Sequence, residues 1–295
     1  MPSSNSVIGR PIPRADARRL VAGRGRYIDD IQLPRMVHVT FVRSPHAHAR
    51  IGTIDAQEAT AMPGVIGVFT AADIAGVCTS WQGTAEHLPD LKSPPQHPLA
   101  SDRATWQGEP VAAVAAESRA EAEDAAEAIT VDWMPLPAVA DLGTALDLDA
   151  PRAHPEFKNN LAFEQRVRKG DLKAAFAEAT TVIERTLSFG RHTGVTLEPR
   201  GLIADFDPTV RSLSVHTAHQ SPWQQQDVFS RLFGIDEHDV RIITPDIGGA
   251  FGLKLQVYGD EVAAVAISVL IARPVKFIAD RLEAFVSDGH SREVL

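Results

Sequence analysis

The sequence predicts a mixed α/β (α+β) protein, and three observations carry that prediction. Residues 110–115 form an apolar strand, followed by a capped helix and by the alternating residues 129–133. Residues 240–244 read as a buried strand, followed by a glycine-rich turn and an apolar helical run over 260–272. Elsewhere, residues 36–42 and 213–217 alternate with the period of two expected of half-buried strands.

Length and composition bound the protein further. A chain of 295 residues has room for two domains and a substantial core. Hydrophobic content of 44% and charged content of 23% describe a soluble globular protein. The net charge of -9 argues against nucleic acid or an anionic membrane surface as partner. No apolar run reaches membrane-spanning length. Met1-Pro2-Ser3-Ser4-Asn5 lacks the features of a signal peptide, so the cytoplasm is the expected compartment. Cys78 is the one cysteine; alone it forms no intrachain disulfide and ligates no iron–sulfur cluster.

In chain order, residues 1–35 are rich in Arg, Gly and Pro and read as an extended arm wrapping a neighbour. After the strand at 36–42 come His46 and His48, which share one face if the strand continues but have no third metal ligand nearby. Residues 56–61 predict a short helix stopped by Met62-Pro63-Gly64, residues 65–69 a strand and 71–74 one helical turn. Residues 77–101 form a long surface loop. Ser118 and Glu121 make a capping box, so residues 110–133 predict a β-α-β unit.

The Pro- and Asp-rich stretch 135–155 is the expected domain boundary, dividing the chain into 1–145 and 146–295. Beyond it, Gly170-Asp171 opens a short helix, and residues 181–187, 201–206 and 213–217 predict strands. Ser221, Pro222 and Gln224 mark a helix start with Ser as cap. Val228, Phe229, Leu232 and Phe233 form its apolar stripe, and Gly234 stops it. Gln220 therefore stands between a strand end and a helix start, a place where side chains meet ligands or simply turn the chain.

The stretch Asp246-Ile247-Gly248-Gly249-Ala250-Phe251-Gly252-Leu253-Lys254 is the main candidate site. Its bare backbone can bring N–H groups close to a ligand, and strand, glycine turn and helix together suggest an anion or cofactor cradle. The competing reading is a tight turn joining two buried elements.

Taken together, the segments resemble the molybdenum-binding large subunit of the xanthine dehydrogenase, aldehyde oxidase and carbon monoxide dehydrogenase family. Arg43-Ser44-Pro45-His46-Ala47-His48-Ala49-Arg50-Ile51, Met62-Pro63-Gly64-Val65 and Gly108-Glu109-Pro110-Val111-Ala112 resemble its α/β hammerhead domain. Leu197-Glu198-Pro199-Arg200, His219-Gln220-Ser221-Pro222, residues 248–252 and Asp280-Arg281-Leu282-Glu283 resemble part of its first molybdopterin-binding domain. The resemblance implies hydroxylation of an aldehyde or N-heteroaromatic compound with oxygen from water. It also implies a molybdopterin cofactor, in the cytosine dinucleotide form, carrying molybdenum. Gln220 matches the glutamine that hydrogen-bonds an oxygen ligand of the metal, and Gly248, Gly249, Ala250, Phe251 and Gly252 match the loop whose N–H groups face its apical oxygen. No side chain of this chain is expected to ligate the metal.

Three departures qualify the resemblance. Ala250 stands where the family has a third glycine. Leu255 stands where purine-oxidising members carry a substrate-binding glutamate, which argues against xanthine. The sequence ends at Leu295, before the second molybdopterin-binding domain and the family's base glutamate. The expectation is thus half of a split subunit. A partner chain would supply the second domain, and further subunits the iron–sulfur clusters and FAD. The alternatives are an inactive or scaffolding remnant, and a phosphate- or nucleotide-binding enzyme using residues 248–254. Against the last, Leu255 follows Lys254 where a phosphate loop has Ser or Thr.

Overall fold

The computed structural model describes residues 7–83, 85, 87, 88, 90–291 and 294. The first five residues, read above for a signal peptide, lie outside the described residues. The N-terminal part runs α1 (Ala17–Val21), β1 (Val37–Arg43), β2 (Ala49–Asp55), α2 (Gln57–Ala61), β3 (Val65–Thr70), α3 (Ala71–Ile74) and β4 (Arg103–Ala104). It continues through β5 (Pro110–Ala116), α4 (Arg119–Glu127) and β6 (Thr130–Pro135). After α5 (Leu172–Glu178) come β7 (Gly201–Asp207), β8 (Ser212–Thr217), α6 (Pro222–Phe233) and β9 (Val240–Ile243). The chain then forms α7 (Gly259–Ile271), β10 (Val275–Ile278) and α8 (Arg281–Ser287).

Seven strands form one sheet in the order β3-β5-β1-β10-β7-β8-β9, and β4-β2-β6 form a second, antiparallel sheet. β1 lies parallel to β10, with Val37 opposite Val275, so strands from both ends of the chain share the large sheet. β5 reads Val-Ala-Ala-Val-Ala-Ala after its proline and is buried at every position, because β1 and β3 flank it and helices cover it. α7 is apolar nearly all round, as a helix enclosed by its own fold must be. Its Val262, Val265 and Ala266 join Phe41, Leu202 and Phe277 in the main core. Phe41 meets Phe277 edge to face at 5.0 Å between ring centres.

Several local expectations hold. The Ser118 hydroxyl accepts from Glu121 N–H at 3.3 Å and donates to its carboxylate at 2.8 Å. Asp280 and Glu283 cap α8 reciprocally, at 2.7 and 3.0 Å. Gly234 ends α6 in the left-handed region at φ 58.

Four expectations are corrected. The predicted β-α-β unit is split: β5 lies in the large sheet while β6 pairs with β2 in the small one. β6 buries none of its residues fully, so its alternation belongs to a peripheral layer. His46 and His48 do not share a strand face; the chain turns between β1 and β2, His46 packs on Trp133 and His48 Nδ1 meets the Pro137 carbonyl at 2.8 Å. Residues 181–187 form no strand among the described residues; Ile183 and Leu187 are 75% and 72% exposed. A strand needs an edge to bond to, and no edge of either sheet reaches this segment.

The fourth correction concerns the arm, which within the described residues folds onto its own chain. Ile28, Ile31 and Met36 pack against Ile203 and Ala218. Lys276 Nζ donates to the Asp29 and Ile31 carbonyls at 2.6 and 3.2 Å, and Arg19 reaches Asp246.

Candidate functional site

The glycine loop between β9 and α7 meets two other segments: Gln220, at the turn from β8 into α6, and Glu198, in the stretch before β7. Gly252 N–H donates to the Gln220 side-chain carbonyl at 2.9 Å, and Gln220 N–H donates to the Lys254 carbonyl at 2.8 Å. Gln220 and the loop are 32 residues apart yet tied at two points. The sequence-derived site residues Gln220, Gly248, Gly249, Ala250, Phe251 and Gly252 thus lie together.

The loop has unusual backbone. Gly249 and Gly252 sit at φ 105 and 90, and Phe251 takes φ 51, a region that costs an L-residue roughly 1–2 kcal/mol. Ala250 is not among the residues with positive φ. A Cβ at Gly248 would collide with the Glu198 side chain, so glycine is required there by close approach.

Its hydrogen bonding divides sharply. Gly248 N–H donates to Glu198 Oε2 at 2.7 Å and Gly252 N–H to Gln220, as above. Among the described residues, nothing accepts from the N–H groups of Gly249, Ala250 and Phe251, or from the Gln220 amide nitrogen. Four donors from two segments are therefore left for an acceptor outside the described chain. Phe251 is 79% exposed beside them.

His219 anchors the neighbouring turn. Its Nδ1 accepts from Ser221 N–H at 3.0 Å, and Nε2 lies 3.1 Å from the Gln256 carbonyl. That pair of partners assigns the proton to Nε2, and burial holds the ring's pKa below its ordinary value. The expected Ser221 cap is corrected here: its side chain makes no capping bond, and His219 Nδ1 takes the Ser221 N–H that a capping box would give to Gln224.

The phosphate-loop alternative fails on geometry. α7 begins at Gly259, five residues beyond Lys254, so its N-terminus does not receive the loop. Lys254 is 2% exposed and gives its ammonium to Glu198 Oε2 at 2.9 Å, so it does not serve a phosphate.

Glu198 is the residue that the sequence reading did not single out. It was visible only as part of Leu197-Glu198-Pro199-Arg200. A useful signal was present: one acid among apolar neighbours, and one lysine following a glycine loop, each wanting a partner once buried.

Comparisons with known proteins bear on the chain as a whole. A family model for the molybdopterin cofactor-binding domain matches residues 153–295. One for the aldehyde oxidase and xanthine dehydrogenase a/b hammerhead domain matches residues 22–137. The chain is 36% identical over 294 residues to the nicotine 6-hydroxylase large subunit of Paenarthrobacter nicotinovorans, covering 99% of this chain and 36% of that protein. It is 37% identical over 299 residues to the carbon monoxide dehydrogenase large chain of Hydrogenophaga pseudoflava, covering 94% and 36%. The crystal structure of quinoline 2-oxidoreductase from Pseudomonas putida 86 superposes with a TM-score of 0.89 at 36% identity, covering 96% of this chain and 36% of that one. The chain thus spans 36% of the length of these relatives. On the two family matches and the shared fold, this chain corresponds to the N-terminal portion of the molybdenum-binding large subunits of the xanthine dehydrogenase, aldehyde oxidase and carbon monoxide dehydrogenase family.

Proposed function

We propose that this chain forms one wall of a molybdenum–pterin site in an oxidoreductase that hydroxylates an aldehyde or N-heteroaromatic substrate. The observation that carries this reading is a set of four donor groups with no acceptor among the described residues: the N–H groups of Gly249, Ala250 and Phe251 and the amide of Gln220. Fixed donors around bare backbone suit the oxygens of an anionic group, so the residues present fit the cofactor. When bound, that cofactor supplies a two-electron oxidation using oxygen from water. Gln220 holds its amide toward the cofactor because its carbonyl is engaged by Gly252. Phe251 is held in the left-handed region, with its ring largely exposed beside these donors.

The same reading divides the chain near residue 145 into a hammerhead part and a molybdopterin-binding part. The base glutamate and the second molybdopterin-binding domain belong to the part of the large subunit outside the 36% of its relatives' length that this chain spans. Iron–sulfur and flavin subunits carry the electrons onward, in the cytoplasm. A nicotine 6-hydroxylase large subunit and a quinoline 2-oxidoreductase stand among the relatives, which supports an N-heteroaromatic substrate. The cytosine dinucleotide form of the pterin belongs to the same proposal. No helix among the described residues is long and apolar enough to cross a membrane.

The test is isolation of the native complex containing this chain, followed by metal analysis and acid release of the pterin nucleotide. One molybdenum per chain with released CMP is the expected result. A folded complex without molybdenum would sink the proposal and favour the scaffolding alternative.

A further inference from the structure

We infer that Glu198 is a positioning residue: it holds the glycine loop, and through Lys254 it sets the placement of Gln220. The inference rests on the reading above for what the loop faces, and on geometry for everything else.

Three donors from two segments converge on this one carboxylate. Oε2 accepts from Gly248 N–H at 2.7 Å and from Lys254 Nζ at 2.9 Å, gripping the loop at its first glycine and at the lysine that ends it. Oε1 accepts from Ile28 N–H of the arm at 3.3 Å. The backbone adds a return bond, Glu198 N–H to the Gly248 carbonyl at 3.1 Å, and Thr196 Oγ1 donates to the Glu198 carbonyl at 2.6 Å. Glu198 therefore spans the base of the loop as a chord, while residues 249–252 bulge outward.

Lys254 carries the restraint onward. Its side chain is 1% exposed, and burial lowers its pKa against the opposing pull of Glu198. Its own carbonyl receives Gln220 N–H at 2.8 Å. Held by Glu198, Lys254 fixes the backbone from which the Gln220 amide projects. A buried ammonium deprived of its counter-ion is strongly unfavourable, so losing Glu198 drives Lys254 toward solvent and pulls the loop with it.

The test is amide hydrogen exchange on the complete complex, with molybdenum content measured on the same samples. E198A keeps the Cβ that packs on Gly248 but removes both oxygens. Exchange over residues 247–254 and at Gln220 is expected to rise by about tenfold or more, while β7 and β10 keep wild-type protection. K254M alone should loosen the loop less, since the carboxylate it leaves behind still bonds Gly248. The double variant E198Q/K254M, a neutral pair of similar shape, should recover most of the protection that E198Q alone loses. Unchanged loop exchange in E198A would overturn the inference. A uniform rise through β7 and β10 in both E198A and E198Q would overturn it too, by making Glu198 a residue of general stability. Loop exchange that rises while molybdenum content and occupancy stay at wild type would leave Glu198 as the loop's holder and instead count against the cofactor reading.

Discussion

Arg200 meets Asp260 through two parallel hydrogen bonds, Nη1 to Oδ1 and Nη2 to Oδ2, both at 3.0 Å. The same guanidinium bonds Glu261 at 3.1 Å, Asp288 at 2.6 Å and the Ser287 hydroxyl at 3.1 Å, and lies 3.6 Å from the centre of the Tyr258 ring. Arg43 closes the network on Asp260 at 2.9 Å and Glu283 at 2.8 Å. The start of α7, the end of α8 and the stretch before β7 are thus joined by buried charge. Replacing Arg200 by Met leaves several buried carboxylates without their main partner and should cost about 3–5 kcal/mol. Urea denaturation compared with wild type checks this.

The network also predicts a pH dependence. Burial pushes the Glu261 carboxyl up to about 7, with Arg200 acting against the rise and Asp260 adding to it. A carboxyl whose folded pKa lies above its ordinary 4.5 takes up a proton on folding. Its contribution to stability is whole below pH 4.5 and is lost as pH rises through about 7. Glu261→Gln should therefore melt higher than wild type at pH 8 and differ little at pH 4. Melting curves across that range would refute the assignment if the difference had the opposite trend.

Adjacent loop residues should respond to glycine with opposite signs. Ala250 is not at positive φ, so Ala250→Gly should destabilise by up to about 1 kcal/mol through the unfolded chain. Phe251 is at φ 51 and largely exposed, so Phe251→Gly should relieve backbone strain of roughly 1 kcal/mol. Thermal melts of the two variants give the signs directly.

Gln220→Ala should leave the fold nearly intact, since Gly252 N–H is exposed enough for water to replace the lost acceptor. Turnover in the assembled complex should fall by roughly 10²-fold, the scale of losing one preorganised donor. Steady-state kinetics at wild-type molybdenum content is the measurement, and unchanged kinetics would refute the role.

The arm should come loose when Asp246 is neutralised. The paired hydrogen bonds from Arg19, both at 2.6 Å, and then the Arg26 N–H hold the Asp246 carboxyl well below the usual carboxylate range. A depressed pKa stabilises above the ordinary 3.8, and the contribution fades as pH falls below it. At pH 8 Asp246→Asn should therefore release the arm, and trypsin should cut after Arg24 or Arg26 several-fold faster. Equal cleavage rates would show that Ile28 and Ile31 hold the arm unaided.

Much of the fold was legible because it depends on residues close in sequence. The Ser118–Glu121 cap, the Asp280–Glu283 box, the αL stop at Gly234 and the alternation in β1 and β8 each involve neighbours within a few positions. The proximity of Gln220 to the glycine loop was legible only through ordered motifs, since nothing local links positions 32 residues apart. Tertiary structure alone decided the rest. It paired β1 with β10, sent β6 to a second sheet, and folded the arm onto Asp246, 227 residues from Arg19. It left residues 181–187 extended and exposed for want of an edge, and buried Lys254 against Glu198. The physical reason is common to all of these. Periodicity and capping report what a segment prefers, whereas hydrogen-bond edges and buried charges are satisfied only by whatever the finished fold brings beside them.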